Sequence, residues 1–144
     1  IKKTAKMMNG LPVPGVPFFG VKGIRYLAKQ ITDLENKPRK YARLYLGHIV
    51  RMQEEIGTGG AGFRFIFASF LDESSKLTGD PELFELSQFV TEIGDQWRAF
   101  AVQAVLFCKD RKSISLQDIS AVLIKCAEME KQLQSRLLSL SAFK

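Results

Sequence analysis

The sequence predicts an all-α fold, an up-and-down bundle of five or six helices, from three observations. Apolar residues recur at three- and four-residue spacing almost throughout, no stretch alternates apolar and polar residues long enough for a convincing strand, and helix start and stop signals separate the periodic segments. The 144 residues, 46% hydrophobic and 25% charged, are enough for one core, so residues 1–144 are read as a single helical domain.

Taken in order, Ile1–Met8 has room for one or two helical turns before Asn9-Gly10 stops it. Pro12, Pro14 and Pro17 then hold Gly10–Phe19 extended or turning, with Val13, Val16, Phe18 and Phe19 to bury. From Val21, the residues Ile24, Leu27, Ala28 and Ile31 form a short amphipathic helix ending near Asp33–Lys37. Pro38 suits the first turn of the next helix, which runs to about Ile56 with Tyr41, Tyr45, His48, Met52 and Ile56 on one stripe. Four glycines within Gly57–Gly62 break the chain, because each would cost about 1 kcal/mol inside a helix.

A helix restarting near Ala61 carries Phe63, Ile66, Phe67, Phe70, Ser74 and Leu77 on one aromatic face, and Thr78-Gly79 closes it. Asp80-Pro81-Glu82 is a strong start signal for a long helix lined by Leu86, Val90, Ile93, Trp97, Ala101, Ala104 and Cys108. Gly94 within it marks a close helix crossing. Ser115-Leu116-Gln117-Asp118 resembles a capping box, and the last helix carries Leu116, Ile119, Leu123, Cys126, Leu133, Leu137 and Leu140. Short connections favour antiparallel packing of neighbours.

Composition and charge exclude several function classes. The longest apolar runs are a few residues, whereas a membrane span needs about 20. The net charge of +6 is unevenly spread: the chain to Arg51 is strongly basic with only Asp33 and Glu35 as acids, Met52–Cys108 is acidic, and the remainder is mildly basic. A basic first third suits a phosphate backbone, an acidic carrier protein or an acidic neighbouring domain. Its lysines and arginines lack interleaved aromatic platforms, which disfavours nucleic acid. Cys108 and Cys126, each among apolar neighbours, read as buried free thiols in a reducing, cytoplasmic setting.

Catalytic constellations are sparse. His48 is the only histidine, so no histidine-based metal cluster is expected and no cofactor is implied; a core histidine bonded to a tyrosine or carboxylate is the favoured reading. Glu54 and Glu55, or Asp72 and Glu73, are carboxylates suited to acid/base work only if folding pairs them, and the latter two fit a solvated face. No serine lies in a GxSxG elbow. The Gly57–Gly62 stretch is the most informative feature. It lacks the GxxxxGK[ST] pattern of a P-loop and reads either as a tight helix-to-helix turn or as an anion or carboxylate site on exposed N–H groups, with Thr58 and Arg64 beside them.

Glu55-Ile56-Gly57-Thr58-Gly59-Gly60-Ala61-Gly62-Phe63-Arg64, followed by Phe67-Ala68-Ser69-Phe70-Leu71-Asp72-Glu73, resembles the C-terminal domain of BtrH-like proteins. Phe19-Gly20-Val21-Lys22-Gly23-Ile24 ahead of an amphipathic helix, and Trp97-Arg98 inside a long one, extend the resemblance over most of the chain. The resemblance implies a domain of uncharacterised function that follows an N-terminal cysteine-peptidase-like domain, where the nucleophile would lie. The family's namesake moves an aminoacyl group from an acyl-carrier protein to an aminoglycoside.

On that basis the chain is expected to be the C-terminal part of a longer protein, a view its start at Ile1 also fits. It would act as a non-catalytic accessory domain contributing substrate or partner contacts, with an acyl-carrier protein or a small-molecule substrate as further partners and homodimerisation left open. The candidate ligand-binding residues are Glu55, Thr58, Gly59, Gly60 and Arg64, forming one wall of a cleft that faces the neighbouring domain. Thr58 and the following N–H groups would hold an anionic or carbonyl group, and Arg64 would supply charge or pin the turn through Glu55. The alternative reading is a free-standing helical interaction module that binds an acidic partner.

Overall fold

The computed structural model describes residues 5–6, 20–56, 60–111 and 113–140. Among them are five α-helices and no strand: α1 (Gly20–Asp33), α2 (Arg39–Glu54), α3 (Arg64–Thr78), α4 (Pro81–Cys108) and α5 (Leu116–Ser139). A 3-10 turn at Leu34–Asn36 joins α1 to α2. The predicted all-α bundle is therefore what forms. The expected Gly10–Phe19 loop, with Val13, Val16, Phe18 and Phe19, lies outside the described residues, as do Thr58 and Gly59. Ala5 and Lys6 are helical, and Ala5 is fully buried.

The long helix α4 organises the bundle, because α2, α3 and α5 all pack against it while α1 lies on α5. Its stripe Leu86, Val90, Ile93, Trp97, Ala101 and Ala104 is buried as the periodicity predicts, and Cys108 at its end is half-buried. The α5 stripe from Leu116 through Ile119, Leu123, Cys126, Leu133 and Leu137 to Leu140 is buried along its whole length. One hydroxyl ties α1 down: Ser120 Oγ donates to the Ala28 carbonyl at 2.9 Å.

Local signals set the boundaries. Asp80 caps α4, its Oδ1 accepting from the Glu82 N–H at 2.9 Å with Pro81 in the first turn. Ser115 and Asp118 form the reciprocal capping box of α5. Gly79 ends α3 at φ 72°, in the left-handed region glycine adopts without steric cost. Gly94 is a close crossing: a Cβ there would lie 2.7 Å from Phe65 Cε1, so the α3 ring occupies the space a side chain would need.

Two expectations are corrected. On α2, the stripe Tyr41, His48 and Met52 faces solvent with Tyr45 only half-buried, Ile56 lies exposed beyond the helix end at Glu54, and the buried positions are Ala42, Leu46 and Gln53. On α3, Ile66, Phe70 and Leu77 face outward, as does Phe63 just before the helix, and Ala68 and Leu71 turn inward. The reason is common to both. Each helix carries two apolar stripes separated by about one residue step, 100° of rotation, and the one with smaller side chains packs more closely against α4. His48 is consequently exposed and is not a core histidine.

Candidate functional site

Between α2 and α3 the chain makes a left-handed turn. Gly60, Ala61, Gly62 and Phe63 have φ values of 83°, 49°, 55° and 70°, and two of these four are not glycine. Such conformations cost about 1–2 kcal/mol for each non-glycine residue, so the turn needs external support. Two ionic side chains supply it. Glu54 Oε1 accepts the Ala61 N–H at 3.2 Å, and Arg64 Nη1 donates to the carbonyls of Gly62 at 2.9 Å and Ala61 at 3.3 Å. The turn delays α3, which begins at Arg64 rather than near Ala61.

Arg64 also reaches across the bundle to α5. Its Nε and Nη2 lie 2.8 and 2.7 Å from Glu130 Oε1, and its guanidinium sits 4.7 Å over the Trp97 ring. The indole Nε1 of Trp97 donates to the same Glu130 oxygen at 3.1 Å. Glu130 is only 7% exposed and Arg64 25%. Burying a carboxylate this deep costs hydration that an opposite charge and hydrogen-bond donors must offset, and Arg64 and Trp97 provide both. Gln53 extends the network by donating to the Trp97 carbonyl at 3.0 Å and to Glu54 Oε1 at 2.8 Å.

Above this network lies a cleft of about 670 Å³ to which all five helices contribute. Val21, Ile24, Tyr26, Leu27 and Gln30 come from α1, Tyr45 from α2, Arg64 from α3, Trp97 from α4 and Glu130 from α5. The volume falls within the range of small-molecule sites, and a mostly apolar wall with few convergent polar groups is the common character of such sites. Among the described residues every hydrogen bond to Glu130 falls on Oε1, and Oε2 accepts none. Burial, with the neighbouring Tyr41 and Tyr26 hydroxyls, raises the Tyr45 pKa above 10.0 and keeps that hydroxyl protonated.

The sequence-predicted residues separate. Arg64 lies in the cleft and pins the turn, but its carboxylate partner is Glu130, not Glu55. Glu55 is exposed and its carboxylate sits 3.5 Å from Arg51. Gly60 packs against Glu54 and Arg98, where a Cβ would lie 3.2 Å from Glu54 Oε2. The Ala61 N–H is taken by Glu54, so the protein's own carboxylate stands where an external anion was expected. Asp72 pairs with Lys76 at 2.6 Å on an exposed face. Sequence reasoning missed Glu130 and Tyr26, although Glu130 interrupts the apolar stripe between Cys126 and Leu133 and that interruption is a readable signal.

The two thiols are poorly suited to nucleophilic work. Burial, reinforced by Glu130, pushes Cys126 up to about 12, and burial also raises Cys108. Both remain thiols at neutral pH, whereas the thiolate is the attacking form. Among the described residues no three His, Cys, Asp or Glu side chains gather as a metal site, and no helix is long and apolar enough to cross a membrane.

No curated protein and no solved structure matches the chain. A family model does match, over residues 1–137, so the strained turn, the Arg64–Glu130 pair and the cleft belong to a member of the family described as Domain of unknown function (DUF4872).

Proposed function

We propose that this chain is a non-catalytic helical accessory domain of a BtrH-like two-domain protein, and that it contributes substrate or partner contacts to a cysteine-dependent, acyltransferase- or hydrolase-like neighbour. The observation that carries the reading is the outward apolar stripe of α3. Ile66 and Phe70 are each about half exposed and Leu77 is 88% exposed, all at helical spacing on one face of α3, and the half-exposed Phe63 lies just ahead of its first turn. Tyr41, Leu44 and Met52 on α2 add a second outward apolar face. Large apolar side chains grouped on one helix face mark a surface that another protein surface covers. The unionised thiols support placing the nucleophile elsewhere.

The test is the mass of the product made from the complete native reading frame. A product of roughly twice 16.2 kDa or more, containing a cysteine-peptidase-like domain ahead of this one, is expected. A product near 16.2 kDa overturns the reading and leaves a free-standing interaction module for an acidic partner. The exposed Lys22, Arg25 and Lys29 of α1 favour that second reading.

A further inference from the structure

We propose that the five-helix cleft is a binding site for an uncharged, largely apolar small molecule carrying a hydrogen-bond donor, with the donor on Glu130 Oε2 and the apolar body between the α1 side chains and Tyr45. The inference rests on the cleft alone and stands whether or not a neighbouring domain exists.

Three features select this class. The wall built from Val21, Ile24, Leu27 and the ring of Tyr45 rewards burial of apolar surface, at about 25 cal/mol per Å². The buried carboxylate has one oxygen committed to Arg64 and Trp97 and one that accepts nothing among the described residues, so a donor entering the cleft gains a bond that none of those residues makes.

Charge balance then decides the ligand's own charge. A carboxylate beside an indole would ordinarily favour a cation, but Arg64 already fills that place, paired with Glu130 and stacked 4.7 Å over Trp97. The floor of the cleft is therefore neutral as a pair. A cationic ligand would meet the Arg64 guanidinium and an anionic one the Glu130 carboxylate, and either would lose hydration without an unpaired counter-charge to replace it. A neutral N–H or O–H donor meets neither obstacle.

Trp97 is the only tryptophan, so its emission and its indole N–H resonance report on the cleft without a label. The full chain is titrated with N-benzylacetamide, and in parallel with benzylammonium and phenylacetate, which keep the ring and change the charge. The expected result is a saturable change with N-benzylacetamide, the same curve from emission and from the indole resonance, and binding of both charged probes at least about tenfold weaker. Ile24→Phe, which adds bulk to the α1 wall of the cleft and leaves Arg64 and Glu130 themselves unaltered, is expected to weaken N-benzylacetamide by a similar factor. The proposal is overturned if no probe saturates at millimolar concentration, if either charged probe binds as tightly as the neutral one, or if the folded Ile24→Phe variant binds unchanged. Should that variant fail to fold, the probe ranking and the indole resonance of the unaltered chain decide alone.

Discussion

Glu130 shows how one side chain can tie a helical domain together. It lies in α5, accepts from Arg64 at the start of α3 and from Trp97 in α4, and through Arg64 it holds the carbonyls of the strained turn. Removing Arg64 leaves a buried carboxylate without its counter-charge. Arg64→Met is therefore expected to cost about 3 kcal/mol in urea-induced unfolding, with an unchanged denaturant slope. Adding Glu130→Leu to that variant should recover much of the loss, since an apolar pair of similar volume no longer strands a charge. Additive losses in the double variant would show that the two side chains are not coupled. Cys126 gives a second expectation. Its thiol ionises near 9.0 when unfolded and only at about 12 in the folded chain, so the stability it contributes is complete below pH 9 and lost as pH rises toward 12. Chemical unfolding across that window should show the decline, and Cys126→Ala should flatten it. Arg64 was legible as a candidate because it follows the glycines. Its partner was not, because Glu130 lies 66 residues away in sequence and only the packing of both α3 and α5 on α4 brings the two within reach.

At the level of whole helices, lengths and ends were readable while rotation was not. Proline, glycine and the Ser115–Asp118 box are local chemistry, satisfied within a turn of the chain, so they placed the end of α3 and the starts of α4 and α5, whereas the start of α3 depends on the left-handed turn that Glu54 and Arg64 hold. Which stripe faces inward depends on what the helix meets. For α2 and α3 it meets α4, where Ala42, Ala68 and Gly94 allow an approach that the larger tyrosines and phenylalanines would prevent. Gly94→Ala tests that approach. Helix propensity alone would favour alanine by about 1 kcal/mol. The new Cβ, however, would lie 2.7 and 2.8 Å from Phe65 Cε1 and Cζ, and Phe65 is itself held under Arg98, 4.3 Å away. A net loss of about 1–2 kcal/mol is expected in thermal or urea unfolding, largely relieved when Phe65→Leu is added. Stabilisation by Gly94→Ala would mean that the glycine has no packing role.

For the molecule as a whole, the outward stripes raise a question that core packing does not answer. A chain with 46% hydrophobic residues must show some of them, but singly exposed side chains need no partner, whereas Ile66, Phe70 and Leu77 share one face of α3. Two origins for that face make opposite forecasts. If it steadies the fold, replacing its members should lower stability. If it is a contact surface, the isolated chain should hardly notice, since exposed positions change stability by about 0.5 kcal/mol or less. The paired variant Phe70→Ser with Leu77→Ser separates them. In the isolated chain the unfolding midpoint is expected to hold while binding of an apolar dye falls. In the protein from the complete reading frame, the same substitutions are expected to loosen the domain from the neighbour proposed above, read as faster proteolytic cleavage between the two. A lowered midpoint in the isolated chain would assign the stripe to the fold. An unchanged midpoint with unchanged cleavage would remove the α3 stripe as a contact surface, and the α2 face of Tyr41, Leu44 and Met52 would be the surface to alter next.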